Sequence, residues 1–72
     1  MSNALGRAAA ELKDEIEKHD IKVFEHERRI SWRGIDKCLP YGTRRSEWRR
    51  NLKKIIRASE RMEAHRRQAT LL

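Results

Sequence analysis

Apolar and weakly polar residues recur along the first half of the chain in alternating steps of four and three: Leu5, Ala9, Leu12, Ile16, His19, Val23, His26 and Ile30. A stripe of that spacing lies along one side of an α-helix, and its run predicts a helix over about residues 4–31. The second half repeats the pattern at Trp48, Leu52, Ile55, Ser59, Met62, Arg66 and Ala69, which predicts a helix over about residues 43–69. Ser2 or Asn3 suits the N-cap of the first helix, and Thr43 that of the second, with Glu47 in the first turn to complement the dipole. Gly34 reads as a stop signal for the first helix.

One stretch resists this reading. Ile21-Lys-Val-Phe favours a strand, and a strand there would end the helix near Asp20. The continuous helix is preferred because no partner strand is evident. Between the stripes, Gly34, Pro40 and Gly42 cluster, while residues 7–33 and 43–72 contain neither Gly nor Pro. Residues 32–42 therefore read as a connector. The expected fold is all-α: one domain of residues 1–72, an antiparallel two-helix hairpin whose end Trp32, Ile35, Leu39 and Tyr41 would close. A hairpin of that kind buries one thin seam, so a homodimer closing into a four-helix bundle is expected.

Charge changes the picture from shape to partner. Of 72 residues, 40% are charged and only four are aromatic, which leaves little material for the walls of a catalytic cleft. The net charge is +7, and it is lopsided. Residues 1–30 hold six Lys or Arg against seven Asp or Glu, whereas residues 31–72 hold twelve against four. On the second helix, Arg49, Arg50, Lys53, Lys54, Arg57 and Arg61 fall on the arc opposite Trp48, Leu52 and Ile55. A solvated helix face usually alternates in sign, and this one does not. Phosphate binding is the reading it favours, on DNA or RNA, with Arg44 and Arg45 at the helix start adding to the site. Trp48 has the spacing of a core anchor. Trp32 and Tyr41, in the connector, are candidate aromatic contacts for bases or for a protein partner.

A variant within the same class makes Ser31 to Leu39 a short helix and Thr43 the start of a recognition helix, as in a helix-turn-helix. Its Pro-containing turn and over-long second helix count against it. The competing class is a protein-interaction module, an adaptor or inhibitor docking on an acidic surface. An enzyme is not expected. The chain has no Gly-rich phosphate loop, no His-Glu-x-x-His pair and no nucleophile elbow. His19 and His26 lie about 10.5 Å apart along one helix, too far to share a metal, and read as seam imidazoles bonded to carboxylates such as Glu15. His65 lies off the seam and reads as solvated. Neither a metal nor a cofactor is expected. Cys38 is the lone cysteine, which suits a reducing, cytoplasmic compartment, and no apolar run is long enough to span a membrane.

Overall fold

The chain starts as the periodicity predicts and then departs from it. The computed structural model describes the backbone of residues 3–70 and the side chains of residues 3–66. It contains helices α1 (Ala4–Glu11) and α2 (Lys13–Lys18), strands β1 (Lys22–Phe24), β2 (Arg29–Trp32) and β3 (Ile35–Cys38), and helix α3 (Arg45–Thr70). The strands form one antiparallel sheet in the order β1-β2-β3. The fold is α+β. This corrects the all-α hairpin, the single helix over 4–31 and the irregular connector over 32–42. It also removes the helix-turn-helix variant, because residues 31–38 are mostly strand.

Local chemistry explains each departure. Asn3 caps α1: its Oδ1 accepts from the Gly6 N–H at 2.8 Å, while its Nδ2 donates to the Glu25 carbonyl at 2.8 Å. Leu12, at φ −116° and ψ 26°, interrupts the helix for one residue between α1 and α2. After Lys18 the helix cannot continue. Asp20 adopts φ +54°, the Ile21 N–H bonds the Ile16 carbonyl at 3.0 Å, and the Asp20 N–H bonds the Glu17 carbonyl at 3.3 Å. That pair of bonds is a Schellman motif, with Asp20 as its left-handed residue and with Ile16 and Ile21 both in the core.

Beyond this stop the apolar period changes to two. Ile30 and Trp32 of β2 are buried, and Arg29 and Ser31 alternate with them. Val23 stands opposite Ile30 and Lys22 opposite Ser31, so β1 continues both faces. Trp32 pairs with Ile35, which leaves Arg33 and Gly34 as a two-residue hairpin loop. Their φ values of +48° and +82° are the positive pair that a type I′ turn requires. Gly34 thus closes a hairpin instead of ending a helix. The longer loop from Glu25 to Arg28 is closed by the Arg28 N–H bonding the Glu25 carbonyl at 3.2 Å.

The core lies where α1, α2 and one face of the sheet meet α3. Leu5 and Ala8 come from α1, Ile16 from α2, Ile30 and Trp32 from β2, and Trp48, Leu52, Ile55 and Ile56 from α3. Burying each large apolar side chain contributes about 1.5–3 kcal/mol. The sheet contributes Ile30 and Trp32 to the core, burial that a two-helix hairpin would lack. Coverage is uneven, however. All four residues of β3 are exposed. The α3 stripe is buried as far as Ser59, whereas Met62 is 43% exposed and every residue from Glu60 to Arg66 faces solvent. From Glu60 onward the helix thus runs past the residues that bury its stripe. The Ala69 side chain lies outside the described residues.

Candidate nucleic-acid interface

The packing of α3 decides where its cations point. With Trp48, Leu52, Ile55 and Ser59 turned to the core, Arg50, Lys53, Lys54, Arg57 and Arg61 fall on the outer side of the helix. Four of these are exposed and Lys53 is half-buried. Ser46, Arg49, Arg50, Lys53, Lys54 and Arg57 line an open groove of about 460 Å³. Among the described residues, no ion pair involves Arg50, Lys53, Lys54, Arg57 or Arg61. Like charges three and four residues apart on a helix disfavour it by about 0.2–0.5 kcal/mol per pair. This ridge contains several such pairs, and an anion laid along it would relieve them.

Other predicted cations are engaged differently. Glu11, at the end of α1, sits between Arg45 Nη1 at 3.3 Å and Arg49 Nε at 3.7 Å. Those two side chains brace α1 against α3, and one carboxylate offsets part of their charge. Arg44 lies apart from the ridge, at the mouth of a pocket beside Tyr41. The second helix is also not capped as predicted: the Thr43 hydroxyl donates to the Pro40 carbonyl at 2.7 Å.

The aromatic candidates separate cleanly. Trp48 is 1% exposed and is a core anchor, as its spacing indicates. Trp32 is 5% exposed on the inner face of the sheet, so it offers no platform for a base and is removed from the candidate contacts. Tyr41 is 86% exposed, with the Arg28 guanidinium 5.1 Å from its ring centroid. The sequence does not single out Arg28. Nothing in the linear order joins it to Tyr41; strand pairing does, through the Leu39 N–H bonding the Arg28 carbonyl at 3.4 Å.

The neighbouring Arg29 is committed locally. Its guanidinium lies 4.3 Å from the Phe24 ring centroid and donates to Glu27 and Asp36, each at 3.1 Å. The hydrogen bond to Glu27, with the nearby charges of Glu27 and Asp36, raises its pKa above the ordinary guanidinium value against a smaller desolvation effect.

Of the two imidazoles read as seam residues, His19 lies in the core and His26 does not. His19 is buried and its Nδ1 lies 2.8 Å from Ser59 Oγ. Its Nε2 makes no hydrogen bond among the described residues, and Glu15 Oε2 lies 3.5 Å away. His26 is exposed in the β1–β2 loop, and His65 is exposed on α3. Among the described residues no group of three His, Cys, Asp or Glu side chains is placed to hold a metal ion, and no helix is long and apolar enough to cross a membrane. No known protein family, curated protein or solved structure matches the chain.

Proposed function

We propose that the protein binds nucleic acid through the outer ridge of α3, with Arg50, Lys53, Lys54, Arg57 and Arg61 contacting backbone phosphates. The observation that carries this reading is a row of five cations on one helix face, none with an acidic partner among the described residues. Arg residues supply planar donors for phosphate oxygens, and Lys residues supply compact charge. Contacts of this kind hold a protein on the polymer without reading sequence, so low base specificity is expected along the ridge.

The test is binding to duplex DNA and to RNA as salt is raised. About five phosphate contacts give a slope near −4.5 for log affinity against log salt on duplex DNA. Exchanging Arg50, Lys54 and Arg57 for Glu should abolish binding and leave helicity unchanged, because all three side chains are exposed. Lys53 is spared, since its half-buried stem also covers the helix surface. Absence of binding by the unaltered protein at low salt would sink the reading and leave an acidic protein surface as the partner.

A further inference from the structure

The turn between β3 and α3 presents Tyr41 to solvent on a hydrogen-bonded backbone. Pro40 to Thr43 form a β-turn in which the Thr43 N–H bonds the Pro40 carbonyl at 3.2 Å and the Thr43 hydroxyl bonds the same oxygen at 2.7 Å. Gly42 has φ +93°, the positive value that the third residue of a type II turn requires. Tyr41 occupies the corner before it. Although the residue is 86% exposed, the Arg28 guanidinium backs its ring at 5.1 Å. Arg28 is itself half-buried and tied through its carbonyl to Leu39.

Tyr41 and Arg28 line a pocket of about 410 Å³ together with Gly42, Thr43 and Arg44. That volume falls within the range of roughly 300–1,000 Å³ typical of small-ligand sites. Arg28 and Arg44 are its only charged lining residues among those described, and both are cations. An exposed aromatic ring pre-positioned beside unopposed positive charge suits a flat, electron-rich group that carries an anion.

We infer that this pocket takes one unpaired nucleotide of a single-stranded nucleic acid, its base stacked on Tyr41 and its phosphate on Arg44. The inference rests on the nucleic-acid reading of α3 and adds to it a preference for single strands at this end of the helix. A base within a duplex has neighbours on both faces and cannot stack on a side chain, whereas an unpaired base can. Stacking tolerates any base, so the pocket selects strandedness and not sequence.

The experiment compares a single-stranded oligonucleotide containing 2-aminopurine with a duplex, using the unaltered protein, Tyr41→Ala and Tyr41→Phe. Tyr41→Ala should weaken single-strand binding by about 5- to 150-fold and leave duplex binding within about twofold. Tyr41→Phe should bind like the unaltered protein. The fluorescence of 2-aminopurine should be quenched on binding to the unaltered protein and to Tyr41→Phe, but not to Tyr41→Ala. Equal single-strand affinities for Tyr41→Ala and the unaltered protein would overturn the inference while the duplex salt slope still supported the ridge. Loss in Tyr41→Phe equal to that in Tyr41→Ala would show a role for the hydroxyl and overturn stacking. No binding to either polymer would remove both readings, and displacement of the oligonucleotide from the pocket by polyglutamate alone, with no quenching, would assign it to an acidic peptide.

Discussion

The imidazole of His19 and the hydroxyl of Ser59 meet at 2.8 Å inside the protein, joining the end of α2 to the middle of α3. Both residues are buried, at 5% and 7% exposure. The bond lies where the two helical stripes converge, beside the turn that sends the chain into the sheet. Ser59→Ala leaves His19 Nδ1 without a partner and should destabilise the protein by about 1–3 kcal/mol. Thermal unfolding should shift down by roughly 4–8 °C for each kcal/mol in a domain of this size. A Ser59→Ala protein that melts with the unaltered one would show that the bond contributes nothing.

Leu52 and Met62 provide a contrast along one helix. Leu52 is fully buried, so Leu52→Ala should cost about 2–5 kcal/mol, a large part of the stability of a small domain. Met62 shares the same sequence stripe but is 43% exposed, and Met62→Ala should fall within about 0.5 kcal/mol of neutral. Urea titrations of the two variants locate the end of the packed seam. Equal losses would mean that Met62 is covered in solution.

Arg33 sits at φ +48° in the type I′ turn, a conformation that costs a residue with a long side chain more than it costs Asn. Arg33→Asn should relieve that strain. The gain is partly offset by loss of the contact between the guanidinium and the Trp32 ring, 5.7 Å from its centroid. A net stabilisation of roughly 0.5 kcal/mol, or about 2–4 °C in Tm, is expected. An unchanged or lowered Tm would contradict it.

Glu11 offsets Arg45 and Arg49, and both ion pairs are largely exposed. Glu11→Gln should therefore cost no more than about 1 kcal/mol of stability. On the proposed function it should also strengthen DNA binding at low salt, steepening the salt slope by as much as about 1.8 if both arginines then reach phosphates. Weaker binding in this variant would place Glu11 in the interface instead of opposing it.

Much of the helical architecture is readable in the sequence, for reasons specific to α3. Trp48, Leu52, Ile55 and Ser59 keep a helical period with no Gly or Pro nearby, and their opposite face carries the cations. The start of α3 at Arg45 falls two residues after the predicted start at Thr43. The first stripe misleads because two periods coincide. Val23 and Ile30 are seven residues apart, which fits a heptad, but they also stand directly opposite each other across β1 and β2. Strands of three and four residues are too short to show alternation convincingly. The Arg33-Gly34 loop lacks the Asn-Gly or Asp-Gly pair that announces a hairpin. Of the candidate site, the ridge is visible in the sequence, whereas the Tyr41–Arg28 pairing exists only once the sheet has formed.

Lys37 stands opposite Ile30 and so belongs to the inner face of the sheet, yet it is exposed. Ile35, on the same face, is 45% exposed. An uncovered outer strand with a flat apolar face is a template for growth by other chains, and a lysine aimed inward is one of the ways proteins prevent it. By that rule, Lys37→Val should raise the tendency to fibril-like stacking at this edge, a change that thioflavin fluorescence would read. The substitution Lys37→Val would set a second bare aliphatic side chain beside Ile35 on an open edge, changing a repelling surface into an adhesive one while the fold beneath stayed the same.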